Sequence, residues 1–545
     1  MLSIYDNAKK ANFGEWTGGE KSRGTLAKAG AMRYNEKKAR RAPEKAAVGR
    51  AAPRAAGKEN VMSVLGHLEP ERVFHYFEHF SSVPHGSGNT AAISDLCVAF
   101  AKEHGLAVIQ DAVGNIIIKK PASSGYENAP GVILQAHLDM VCAKAADDPR
   151  DMAKEPVRLL TDGEWVWADG TSLGADDLIG VALAAAILED DDLPHPALEA
   201  VFTVDEETSM VGANALDVSA LTGRWMLNLD SEGDDGSFTV GCSGGARANC
   251  RLPVERAPLA ADETGLLLTL SGLRGGHSSA VDSERGNAHL LTARALFEIW
   301  PDCPFRLVSM SGGTVDNAIP DQTVTEVAVP TAEKDDFLTR LEAYAKIYQT
   351  ELAVSDPDVT LTAVPAEVGT PMTAESTRRA LAALYTMPAG IQHMSTDFKG
   401  LLQTSLSMGI IRTEPDSLTF SYAVRATLAT QKTTLLHQME TVLSSYGGTM
   451  QTRGFYPGWP YRRQSALRDT LTAAYRELTG NEPHIYATHG GLECGLLIDK
   501  LPDLDCVSVG PAAYGIHSVE EHLNVASVGR VYRLLRAFLV KCKPE

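Results

Sequence analysis

Apolar positions along this chain follow two rhythms. From Glu69 to Phe80 the spacing Val73, Phe74, Phe77, Phe80 is helical, a polar turn at Pro84-His-Gly-Ser-Gly-Asn89 closes it, and Thr90 to His104 resumes it. Short β-branched or apolar runs at 113–119, 131–135, 198–204, 224–229 and 505–509 read as strands, and the Ala-rich stretch 178–188 as a buried helix entered from a Gly-rich loop. Strands alternating with helices predict an α/β sandwich with a mostly parallel sheet. Between 244 and 447 the texture changes. Runs at 247–252, 266–270, 324–329, 359–363 and 417–426 read as strands, with helices at 288–300 and 335–348 between them, which predicts an inserted α+β domain. The expected division is therefore a first catalytic part at 62–243, the insertion at 244–447, and a second catalytic part at 448–545, opened by a strand at 449–456 and a helix at 465–478.

Length and charge refine this picture. At 545 residues the chain exceeds one ordinary core. Residues 1–60 hold 14 basic and 6 acidic side chains, a balance of +8, which leaves −27 for the rest of a chain whose formal charge is −19. Residues 1–61 are Ala/Gly-rich and short of branched apolar side chains, so they read as a basic, disordered extension, and Met62 as the start of patterned sequence. Lys38-Ala-Arg40-Arg41 lacks the apolar stretch of a secretion signal. A mitochondrial presequence is the rival reading, against which the six acidic residues count. The acidic body argues against nucleic acid as a partner. The lack of an apolar run of about 18 residues argues against a membrane span. Eight cysteines without C-x-x-C pairing point to reduced thiols and a cytoplasmic setting.

The chemistry sits at strand ends. His137-Leu-Asp139 follows the run at 131–135, Asp176-Asp177 opens the Ala-rich helix, Asp205-Glu206-Glu207 follows 198–204, Asp230 follows 224–229, and Gly515-Ile-His517 follows 505–509. Open α/β sheets bind their ligands there. An Asp-Glu-Glu run alone is a solvated acidic turn, a lone His-x-Asp a surface pair, and Cys494 a buried structural thiol rather than a nucleophile. What changes the reading is five such elements in order, each after its own strand. Zinc takes His nitrogen and carboxylate oxygen, and paired ions need a bridging carboxylate. Asp176 is the natural bridge, with His137 and Asp230 completing one ion site and Glu207 and His517 the other. Asp139 would orient His137, and Glu206, pointing away from Glu207, would serve as general base.

At these residues the chain resembles the di-zinc aminopeptidase/aminoacylase superfamily of metallopeptidases, and within it the aminoacyl-histidine (Xaa-His) dipeptidases. The likeness runs from about Met62 to the C-terminus and includes Met394-Ser-Thr-Asp-Phe-Lys-Gly400, Tyr456-Pro-Gly-Trp459 and His489-Gly-Gly-Leu-Glu493-Cys494. It implies that His137, Asp176, Glu207, Asp230 and His517 bind two divalent ions, with zinc first and cobalt or manganese as alternatives. It also implies that Asp139 supports His137, that Glu206 activates a metal-bridging water, and that the inserted domain is a lid used for dimerisation, giving a homodimer. Gly275-Gly276-His277-Ser278 matches the lid motif whose histidine polarises the scissile carbonyl, and Asn317-Ala-Ile-Pro320 a lid Asn that contacts substrate. Arg425 is the candidate for the substrate carboxylate, and His489 and Glu493 either line the pocket wall or serve structurally at a helix entry. Two positions depart from the pattern: Asp177 where relatives often carry Asn, and Ser518-Val519-Glu520-Glu521 in place of Ser-Pro-Asp-Glu. The expected activity is hydrolysis of small, unblocked dipeptides, Xaa-His among them, by a cytoplasmic metallopeptidase. The alternatives are an N-acyl-amino-acid deacylase on the same fold and a non-catalytic peptide-binding protein.

Overall fold

The structure is a computed structural model that describes residues 63–208, 210–231, 236–279 and 285–543. The expected basic extension over 1–61 lies outside them. Among the described residues the first layer is an eight-stranded sheet. Its strand order is Ala107–Gln110, Ile116–Lys120, Leu198–Thr203, Val132–His137, Trp225–Asn228, Asp505–Ser508, Ser237–Thr239 and His484–Tyr486. The four central strands run parallel, and Ile116–Lys120 on one side and Ser237–Thr239 on the other pair antiparallel to them. The mostly parallel reading thus holds at the centre, where each strand is buried on both faces, as parallel strands require.

Alternation decides what each face meets. Val132, Leu134 and Ala136 point into the main core, which is shared with helices Glu71–Phe80, Ala91–Glu103, Ala175–Glu189, Ala466–Thr479 and Val525–Lys541. Ile133 points the other way, to a smaller core with Val201, Met226, Cys506 and Leu497. His137, Gln135 and Ile133 share that second face because side chains alternate along a strand. Helix Ala175–Glu189 is buried nearly all round, as its run of alanines, leucines and isoleucines demands.

The insertion forms its own layer around a separate core. Its antiparallel sheet runs in the order Thr360–Pro365, Glu263–Ser271, Thr323–Pro330, Arg306–Gly312, Leu402–Thr413, Ser417–Ala426, Gly244–Pro253 and Thr449–Tyr456, with Gly390–Met394 paired to Leu402–Thr413. Strand Gly244–Pro253 shows why: Ala246, Ala248, Cys250 and Leu252 are buried while Arg247, Asn249 and Arg251 alternate outward. One sequence expectation is corrected here. Thr449–Tyr456 does not reopen the catalytic layer but pairs along Gly244–Pro253 as an edge strand of the second sheet. Its side chains are mostly exposed, so no apolar pattern marked which sheet it would join. The chain leaves the first layer at Cys242 and returns at Trp459. These two residues exchange a pair of backbone hydrogen bonds of 3.0 Å each.

No helix among the described residues is long and apolar enough to cross a membrane. All eight cysteines are free, and burial pushes the Cys494 thiol well up, in keeping with a structural role.

Candidate active site

Three parallel strands end side by side and deliver acid or imidazole at their tips. His137 closes Val132–His137, Glu206 and Glu207 lie just past Leu198–Thr203, and Asp230 just past Trp225–Asn228. Asp176 stands in the first turn of helix Ala175–Glu189, after Gly174 at φ +75°. A Cβ on Gly174 would lie 2.8 Å from Met140 Sδ and 3.1 Å from His85 Nε2, so both the turn and the space require glycine. His517 comes from the loop between short strands Ala513–Tyr514 and His522–Asn524, itself at φ +58°. Asp205, at φ +54°, bends the chain before Glu206 and accepts a 2.6 Å hydrogen bond from Gly88 N. Left-handed backbone at non-glycine residues is uncommon and gathers at functional sites.

These side chains converge on two overlapping groups, His137–Asp176–Asp230 and Asp176–Glu207–His517. His137 Nε2 lies 3.1 Å from Asp176 Oδ1 and 3.9 Å from Asp230 Oδ1. His517 Nε2 lies 3.2 Å from Asp176 Oδ2 and 2.9 Å from Glu207 Oε1. The last pair is close without hydrogen-bond alignment, which leaves Glu207 Oε1 buried and unpartnered. Asp176 thus turns one oxygen to each imidazole. A tetrahedral ion with bonds of about 2.0–2.1 Å separates its ligand atoms by about 3.3 Å, so both groups fit a divalent cation in spacing and donor type.

Charge tells the same story. Burial raises the proton affinity of Asp230, and the nearby Asp176 raises it further. Burial with Glu493, Glu207 and Asp176 nearby pushes Glu206 up to about 8, against the pull of His137. Burial opposes the charged form of His137, yet hydrogen bonding to Asp139 and Asp176 holds its proton affinity well above 6.5. His517 is pushed up to about 10 by Asp176 and then Glu207. The site draws in positive charge by every route open to it, the state that cations relieve.

Asp139 lies beneath. Its Oδ1 accepts from Glu206 N at 2.9 Å, and its Oδ2 from Glu207 N at 3.2 Å and Ser87 Oγ at 2.8 Å. Asp177, the departure from the family pattern, faces inward. Its Oδ2 accepts from His137 N at 3.2 Å, and its Oδ1 fills space that Gly180 leaves by lacking a Cβ.

The remaining predicted residues form a second, cationic cluster. Arg425 is 5% exposed and donates to Ser278 Oγ, to Tyr456 Oη and, at 3.1 Å, to His277 Nε2. Asn317 Nδ2 stands 3.5 Å from the same His277 nitrogen. Burial and the charges of Arg425 and Arg247 lower the proton affinity of His277. None of the hydrogen-bond partners of Arg425 given above is a carboxylate, whereas Arg247 pairs with Asp316 at 2.8 Å. His489 lies between Ser243 Oγ at 2.8 Å and Ser405 Oγ at 2.7 Å, and burial with Arg425 nearby pushes it down to about 4. Gly491 links the clusters: a Cβ there would meet the Tyr456 ring at 2.8 Å and Met210 Cε at 3.3 Å, and Met210 N donates to Glu206 O.

Of the two roles expected for Glu493, the structure favours the one at a helix entry, before Cys494–Lys500. It is fully buried, with Oε2 accepting from Gln135 Nε2 at 2.6 Å and Thr203 Oγ1 at 2.5 Å, so it lies under the acid–imidazole cluster rather than on a pocket wall. It ends a polar chain in which Ser508 donates to Asn228 and Asn228 to Gln135. Gln135, Asn228 and Ser508 are register partners across three strands. Sequence reasoning missed Gln135, Ser87 and Glu521. The signal was present for Gln135, a polar residue inside the apolar run that leads to His137.

The comparisons with known proteins follow this geometry. The model for peptidase family M20/M25/M40 matches residues 133–541. The cytosol non-specific dipeptidase of Escherichia coli (strain K12) is 35% identical over 480 residues, covering 88% of this chain and 99% of that protein. The crystal structure of aminoacylhistidine dipeptidase from Vibrio alginolyticus superposes with a TM-score of 0.83 at 34% identity, covering 89% of this chain and 99% of that one. An aminopeptidase PepT from Bacillus cereus, at 16% identity and a TM-score of 0.51 over 88% of this chain and all of its own, shares the fold. Paired ligand groups at the ends of parallel strands, a second sheet inserted between them and these matches have one reading: the chain belongs to peptidase family M20/M25/M40.

Proposed function

We propose that this chain is a metal-dependent dipeptidase that cleaves unblocked dipeptides, Xaa-His among them. The observation that carries the reading is Asp176, whose two oxygens face two separate imidazole-bearing groups while Glu206 remains outside both. His137, Asp176 and Asp230 would hold one ion and Asp176, Glu207 and His517 the other, with zinc the first candidate and cobalt or manganese suited to the same donors. The chemistry that a bound pair supplies is Lewis acidity toward water and toward the scissile carbonyl.

The rest falls to the side chains. Glu206, held by its backbone on Asp139, accepts the proton of the attacking water at its carboxylate and delivers it to the leaving amine. Arg425, buried without a carboxylate partner among the described residues, takes the terminal carboxylate of the substrate. That contact draws Arg425 away from His277 Nε2 and frees this nitrogen, beside Asn317, to carry a proton toward the developing oxyanion. Binding at both substrate ends limits length, and the inserted layer acts as a lid. Two copies of the chain form the working unit, and the setting is the cytosol, in line with the name of the Escherichia coli cytosol non-specific dipeptidase.

The test is hydrolysis of Ala-His, β-Ala-His, Gly-Leu and an N-acetyl amino acid, before and after chelation and with zinc, cobalt or manganese restored. Metal-dependent cleavage of the free-amine dipeptides supports the reading. Cleavage of the acetylated substrate alone makes the chain a deacylase, and silence with every metal sinks the catalytic assignment. Sedimentation of the same preparation checks the dimer.

A further inference from the structure

Both histidine-bearing segments carry an acid a few residues further on, and each acid grips the backbone of another ligand loop. Asp139, after His137, accepts from the amides of Glu206 and Glu207. Glu521, after His517, is 2% exposed and accepts from four amides in succession. Its Oε2 takes Leu173 N at 2.7 Å and Gly174 N at 3.0 Å, and its Oε1 takes Ala175 N at 2.8 Å and Asp176 N at 3.4 Å. The first amides of a helix have no partner within it, and leaving buried ones unmade costs more than a surface bond would return. One carboxylate therefore satisfies the turn that aims Asp176 and ties it to the loop that bears His517, 341 positions away in sequence.

We propose that Glu521 is a positioning residue that sets Asp176 as the bridge between the two ions and locks the bridging loop to the His517 loop. The proposal rests on the two-ion reading of the site. Glu521 touches neither ligand group through its own side chain except at backbone nitrogen. Its loss should nevertheless weaken both ions, because both depend on Asp176. Loss of His517 should weaken only the ion that it shares with Glu207. An amide in place of the Glu521 carboxylate turns an N–H toward N–H donors, and outer partners of this kind change metal affinity by about 10- to 100-fold.

The experiment titrates zinc into the metal-free full chain against a competing chelator for the wild type, Glu521→Gln, Glu521→Asp and His517→Ala. It also follows backbone amide exchange of residues 173–176 without metal. The expected result is protected amides in the wild type and faster exchange in Glu521→Gln. Both ions should weaken about 10- to 100-fold in Glu521→Gln, less in Glu521→Asp, and one ion alone in His517→Ala. Weakening of one ion or neither in Glu521→Gln overturns the proposal. So does free exchange of the 173–176 amides in the wild type, a measurement that needs no variant to fold. If the metal and exchange pattern holds but no dipeptide is cleaved, Glu521 keeps its role and the dipeptidase reading fails.

Discussion

The metal cluster and the cationic cluster are built on opposite plans. Asp176, Glu207, Asp230 and Glu206 crowd negative charge around two imidazoles, each group standing at the tip of a parallel strand, in the first turn of a helix or in a tight loop. Arg425, Arg247, His277 and His489 crowd positive charge or its precursors, with Asp316 paired to Arg247, and they come from strands and loops spread over both layers. One cluster awaits cations and the other an anion. On the proposed function, a free dipeptide bound across them would offer its carboxylate to the second while its peptide bond meets the first. The contrast then puts length selection in the pairing of the clusters rather than in either alone.

The strongest way to break that pairing is to disable the metal cluster. Chelation should abolish turnover, and Glu206→Gln should lower kcat by about 10²–10⁴-fold with both ions retained, read by kinetics alongside metal analysis. Loss of ions from Glu206→Gln would make Glu206 a ligand. Next comes Arg425→Ala, which should lower kcat/KM for free dipeptides by about 10- to 100-fold, the size of a charge-assisted hydrogen bond, and much less for C-terminally amidated ones. An equal loss on both substrates would move the carboxylate site elsewhere. His517→Ala should reduce bound metal from two ions to one, and two ions retained would remove it from the ligand set.

The smallest expected effect concerns stability. His489 is held near 4 in the fold against about 6.5 in an unfolded chain, so between those values the unfolded state binds more protons. Its contribution is complete above pH 6.5 and is lost as pH falls toward 4, about 2 kcal/mol by pH 5. His489→Gln should flatten thermal stability over that window. A slope unchanged from the wild type would show that burial and the charge of Arg425 do not hold the imidazole neutral.

The convergence of acids and imidazoles was legible in sequence because each candidate ligand lies next to an apolar run, and adjacency in a parallel sheet does the rest. His137, Asp230 and Glu207 needed no long-range knowledge beyond strand order. The second cluster was less legible. Arg425 lies one residue before the end of Ser417–Ala426, where nothing local distinguishes it from a solvated charge, and its contacts with His277 and Tyr456 depend on packing between distant segments. Glu493 was left between two roles because nothing local shows which way its carboxylate points, and the fold aims it at Gln135 under the sheet. Thr449–Tyr456 misled because an exposed edge strand carries no apolar signature of its partner.

The Cys242–Trp459 bond pair has a consequence for how such a chain can change over time. The exit from the catalytic layer and the return to it lie one strand spacing apart, about 4.8 Å. Everything between them is a cassette plugged in at a single socket. It can lengthen, shrink or be exchanged without the ligand-bearing strands changing place, and a short turn joining Cys242 to Trp459 would leave the order of the eight-stranded sheet intact. New substrate preferences can be acquired by redesigning the cassette, while the candidate metal ligands, all of which lie outside it, are inherited whole.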